Sequence, residues 1–149
     1  MDGEKELRDL VGRMNQTEIF NADEQAAKRK MYFRELSARA IAGNQTTGSL
    51  EGQPHFYALP HDENRAYMKK IDNDLEEQVR LVGHFFRVWV DHGDPIPPYF
   101  PSRICIILRK HKRADLEFDF LHAYVRHFTD TTSPRNAKLI ERAAKIGAL

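Results

Sequence analysis

Few features of a secreted, metal-dependent or membrane-spanning protein occur in this chain. One of its 149 residues, Cys105, is a cysteine. That excludes an intrachain disulfide and a zinc site built on cysteines. No apolar run approaches the ~20 residues that a membrane-crossing helix needs. The opening MDGEKELRDL is charged and holds no apolar stretch of the signal-peptide kind, so the expected location is cytoplasmic. Charge of one sign is missing too. The 23 basic and 22 acidic residues leave a net charge of +1, and no global field draws the chain to nucleic acid or membrane. Nowhere do apolar and polar residues alternate with the period of a half-buried strand. There is no HExxH, no paired-cysteine spacing and no EF-hand loop. The stretch GNQTTGSLEG lacks the lysine and following helix of a phosphate-binding loop. No metal, cofactor or catalytic residue is therefore assigned.

What is present is helical periodicity in a chain of one domain's length, residues 1–149. Hydrophobic residues make up 41% and charged residues 30%, enough for a core and a solvated surface. The charge is uneven along the chain. Residues 1–78 hold 11 basic and 15 acidic groups, net −4, and residues 79–149 hold 12 and 7, net +5. Such asymmetry suits an oriented homo-oligomer or a charged partner.

An N-terminal helical segment, 1–42, comes first. Leu7, Leu10, Val11 and Met14 predict a short amphipathic helix capped by Asp2. Asn21 predicts the N-cap of a second helix, with Asp23 and Glu24 at its positive dipole end and Gly43 as its stop. Residues 43–61 then form a long loop rich in glycine and proline, interrupted by the apolar HFYALP. His55, Phe56, Tyr57 and Leu59 are the candidate partner-binding residues. The structural alternative is that they pin the loop to the core.

The helical core, 62–149, opens with the strongest pattern in the chain. Met68, Ile71, Leu75, Val79, Val82, Phe86 and Trp89 step by three and four, which predicts one helix over 62–92, bent near Asn73. Its apolar face widens towards Trp89, so that end is expected to be buried most deeply. Asp72, Asp74, Glu76 and Glu77 are placed on its solvated side. Pro95, Pro97, Pro98 and Pro101 delay the next element to residue 101 or 102. The run ICIIL that follows would suit a buried strand or a helix. With no second strand to pair with, two antiparallel helices joined at Lys112-Arg113 satisfy its backbone instead. Ser133-Pro134 then starts a last helix. The fold class is all-α, with about six helices.

The stretch SRICIILRKHKRADLEFDFLHAYVRHF resembles a divergent tetratricopeptide-type helix pair, with NAKLIERAAK similar to the closing helix. The resemblance covers residues 99–146. It implies inward positions at Ile104, Cys105 and Leu108 on one helix and at Phe118, Leu121 and Tyr124 on the other. Glu117 stands where the pattern has alanine, and Ala114 where it has an aromatic residue. At most one and a half repeats are visible, so the resemblance implies hairpin packing and a binding role, not a solenoid groove.

The function expected is that of a small adaptor or regulator that binds a protein partner. The alternative is a nucleic-acid-associated regulator using the basic C-terminal half. Arg109, Lys110, Lys112, Arg113 and Arg126 are the candidate contacts for phosphates or an acidic partner. Basic residues also belong at helix C-termini for electrostatic reasons alone. An enzyme whose site the sequence conceals is the third reading.

Overall fold

The structure, a computed structural model, describes residues 1–42 and 55–149. Seven α-helices make up those residues: α1 (Glu4–Gln16), α2 (Ala22–Ile41), α3 (His61–Ile71), α4 (Leu75–His92), α5 (Tyr99–Lys110), α6 (Ala114–His127) and α7 (Pro134–Ile146). A 3-10 turn at His55–Ala58 precedes α3. The all-α class stands as expected. The stop expected at Gly43, and most of the 43–61 loop, lie outside the described residues.

Two helices organise the packing. α4 carries α1, α2, α3 and α5, while α6 carries α1, α5 and α7. Leu7, Leu10, Met14, Leu81, Val82, Ile104, Leu108, Phe120 and Leu121 fill the space between them, each essentially inaccessible to solvent. This single cluster is what makes the short amphipathic helices stable, since an isolated helix of 11–14 residues is marginal in water. ICIIL is helical within α5, which forms a hairpin with α6.

The turn of that hairpin is a Schellman motif. Arg113 N–H donates to Leu108 O at 2.9 Å, and Lys112 N–H to Arg109 O at 3.0 Å. Lys112 occupies the left-handed position usually given to glycine, with φ +56°.

Several local expectations change. The helix expected over 62–92 is two helices. The first ends at Ile71 with Asp72 as its C-cap, and Asp74 caps the second by accepting from Glu77 N–H at 3.1 Å. Gln78 Nε2 donates to Ile71 O at 3.0 Å, and Arg103 donates twice to Asp72 O, so the carbonyls at the end of the first helix are hydrogen-bonded. The apolar stripe runs unbroken across it, which is why periodicity alone joins the two. The acidic residues here are not merely a solvated face: Asp74 is a cap, Asp72 accepts from Tyr99, and Glu77 accepts from Tyr67 and Arg80. α5 begins at Tyr99, two residues early, because Pro101 lies in the first turn, where a missing N–H costs nothing.

The N-cap of α1 is Gly3 rather than Asp2. A Cβ on Gly3 would lie 2.7 Å from Glu76 N, so the close approach of the two helix starts requires glycine, as does its φ of +92°. Phe118 is 39% exposed and does not point inward; Leu116, Phe120 and Ala123 fill the core on α6 instead. Trp89 is half-buried, not the deepest residue of α4. Its ring meets Phe128 at 5.2 Å, at the end of the α5–α6 hairpin.

Candidate functional site

α2, like α3, is held to the body of the protein with little burial. Only Gln25 and Tyr32 of its twenty residues are buried. Polar tethers do much of the work: Gln25 Nε2 donates to Trp89 O at 2.8 Å, Lys28 Nζ to Val90 O at 3.2 Å, and Arg29 pairs with Asp94 at 3.0 Å. Tyr32 stacks on His92 at 4.3 Å. Gly93 allows this approach, since a Cβ there would lie 2.1 Å from Gln25 O. Met31, Tyr32 and Phe33 are consecutive, and successive residues point 100° apart on a helix. They cannot all face inward, and Met31 and Phe33 remain exposed.

That arrangement leaves a cleft of about 650 Å³ between α2, the C-terminal half of α4, the 94–98 segment and the end of α6. Its apolar walls include Phe20, Phe33, Val88, Trp89, Ile96 and Phe128. Ile19 and Phe33 stand at 52% and 43% exposure beside it. Its polar groups include Asp94 with Arg29, and His127. Burial raises the Asp94 carboxyl above its ordinary pKa, against the pull of Arg29. His127 donates Nε2–H to Met14 O at 2.7 Å, and burial lowers its pKa below the ordinary imidazole value. The volume is in the range of ligand and peptide-anchor pockets.

The residues singled out from the HFYALP run do not form one surface. Phe56 is buried, stacked on Tyr67 at 5.3 Å and near Phe100 at 6.1 Å. Leu59 packs against the core, and His55 lies edge-on to Tyr67 at 4.7 Å. Tyr57 alone reaches the cleft, where its hydroxyl pKa is raised to about 12 by burial first and by Asp94 second.

The five basic residues are dispersed. Arg113 is clamped by Glu4 at 2.8 Å and Asp115 at 3.0 Å. Lys110 donates to Asn73, and Arg126 donates to Asn15 beside the apolar cleft. Lys112 holds the hairpin turn. Arg109 turns to Glu117, which is 1% exposed and also receives Arg142 at 2.8 Å. Sequence reasoning missed Ile19, Phe33 and Ile96. The consecutive Met-Tyr-Phe on a helix was the legible signal for one of them.

Cys105 is buried, and burial pushes its thiol pKa up, which suits a core side chain and not a nucleophile. Among the described residues no three His, Cys, Asp or Glu side chains gather as a metal site, and no helix is long and apolar enough to cross a membrane. Comparison with protein-family models, curated proteins and solved structures finds no match to this chain.

Proposed function

We propose that this protein is a helical binding module whose cleft between α2 and α4 takes an apolar segment of a protein partner. The observation that carries the reading is the cleft itself: about 650 Å³ with mainly apolar walls, flanked by exposed Ile19, Phe33 and Tyr57. Exposed apolar side chains grouped at a concave surface mark interaction sites, whereas scattered ones mean little. Half-buried Trp89 in the wall, with Phe20 edge-on at 6.4 Å, supplies the aromatic anchors that dominate such interfaces. Arg29, Asp94, Arg126 and Asp130 around the cleft would form the polar rim. The tetratricopeptide resemblance of residues 99–146 supports a binding role as well. Dispersal of Arg109, Lys110, Lys112, Arg113 and Arg126 weighs against an extended nucleic-acid footprint, which needs a continuous row of phosphate contacts.

The test is affinity capture with the parent protein, Phe33→Asp and Lys138→Glu side by side, followed by titration of the purified captured protein. Phe33 is exposed, so the charge should not unfold α2. A partner held by the parent and by Lys138→Glu, and weakened at least tenfold by Phe33→Asp, supports the reading. Equal binding to all three overturns it.

A further inference from the structure

A second concave surface lies between α5 and α7, with a volume of about 400 Å³. Arg103 and Arg109 enter it from α5, and Arg135, Lys138 and Arg142 from α7. The α7 positions fall three and four residues apart, so they share one face. No acidic side chain lines this groove among the described residues. Two carboxylates touch its cations from outside the lining: Glu117, paired with Arg109 and Arg142, and Asp72, 3.8 Å from Arg103. Five positive groups against two negative ones leave a surplus of three.

Internal needs do not account for that surplus. One guanidinium can pair bidentately with a buried carboxylate, and Arg142 already does so through Nε and Nη2, at 3.2 and 2.8 Å. Arg109 is added at 3.4 Å with 44% of its side chain exposed. The guanidinium of Arg135 lies 5.2 Å from the centre of the Tyr99 ring and makes no hydrogen bond or ion pair among the described residues. Lys138 has no such partner there either. Tyr99 is in turn held by Asp72, and Arg103 by two hydrogen bonds to Asp72 O, at 3.0 and 2.6 Å. Most of the cations are therefore oriented in advance, which lowers the entropic cost of gripping an anion.

We propose that the α5–α7 groove binds a compact small molecule bearing two adjoining phosphates. The surplus of three charges suits that group, since a single phosphate ester carries about −1.5 to −2 at neutral pH. The volume suits a small molecule. A nucleic-acid strand fits less well. Among the described residues the one aromatic side chain lining the groove, Tyr99, already carries Arg135 over its ring, so it offers a poor stacking platform, and the remaining basic residues do not line the groove.

The experiment is calorimetric titration of the full chain with inorganic pyrophosphate at about 50 mM salt, where charge contacts are least screened. Three proteins are compared: the parent, an Arg135→Ala/Lys138→Ala double variant, and a Lys110→Ala/Lys112→Ala control with the same loss of charge outside the groove. One saturable site is expected, weakened about tenfold or more in the groove variant and within about twofold of the parent in the control. Melting temperatures establish that each is folded; should the double variant unfold, Lys138→Glu alone carries the comparison. Absence of saturable binding overturns the proposal, as does equal weakening by the control, which would reveal only diffuse attraction. Tight binding of a single-stranded oligonucleotide that pyrophosphate does not displace also overturns it, in favour of nucleic acid.

Discussion

Removing Arg142 should harm this protein more than removing the charge it neutralises. Glu117 is 1% exposed and is the fourth residue of α6. Arg142 and Arg109, its two partners, keep 27% and 44% of their side-chain surface. In Arg142→Ala a carboxylate stays where water reaches it poorly, and its remaining partner sits at 3.4 Å. Loss of one partner from a buried pair costs roughly 3–5 kcal/mol when nothing else compensates. With Arg109 retained, about 2–3 kcal/mol is expected. In Glu117→Gln the two arginines stay hydrated, and the amide oxygen can still accept from Arg142. That variant should lose only about 1 kcal/mol, the net worth of an ordinary hydrogen bond.

For a chain of this length 1 kcal/mol moves the melting temperature by about 2–4 °C, so Arg142→Ala should melt roughly 4–12 °C lower. Urea unfolding of both single variants and of Glu117→Leu/Arg142→Met closes the comparison. The double variant should recover most of the Arg142→Ala loss, because apolar residues of similar size replace buried ion pairs well. If Arg142→Ala is no more costly than Glu117→Gln, the carboxylate is hydrated in solution and the asymmetry argument fails.

Other perturbations have equally definite outcomes. Gly93→Ala should cost more than the ~1 kcal/mol of left-handed strain, because the new Cβ would lie 2.1 Å from Gln25 O and push α2 off α4; denaturant unfolding measures it. Lys112→Gly should leave stability unchanged or raise it by up to about 1 kcal/mol, since glycine relieves the same strain in the hairpin turn; a lower urea midpoint would contradict this. Phe56→Ala should destabilise by about 3–5 kcal/mol, the range for large buried truncations, and its melting curve distinguishes a core anchor from a docking residue. Arg113 lowers the pKa of Glu4 to about 2, chiefly through their hydrogen bond, and that of Asp115 to about 2 likewise. The stabilisation from these lowered carboxyls is complete above their ordinary values of 4.5 and 3.8 and is lost as pH falls towards 2. Unfolding measured from pH 5 to pH 2 should therefore be less acid-sensitive in Arg113→Gln than in the parent.

Local chemistry in the sequence determined the class and most helix limits. Asn21, Ser133-Pro134 and Gly93 mark their helix ends because each satisfies or frees backbone groups regardless of what packs nearby. ICIIL was readable as helix because a lone strand has no partner for its N–H and C=O groups. The break at Asp72-Asn73-Asp74 was hinted at by three cap-favouring residues in a row, but the apolar stripe ran through it, and only Gln78 and Arg103 arriving from elsewhere fixed it. Tertiary structure also decided which charges are spent. Arg113 and Arg109 look alike in RKHKR, yet one ties α1 to the hairpin turn and the other opens onto a groove, because Glu4 and Glu117 come to them from 109 residues before and eight residues after. The cleft beside α2 has the same origin. Consecutive Met31, Tyr32 and Phe33 forced apolar surface outward, but the concavity exists only because Gly93 lets α2 lean on α4 through polar tethers while the 94–98 segment and Phe128 close its far side. Periodicity fixes what a helix can bury; where two helices fail to meet is a property of the packing alone.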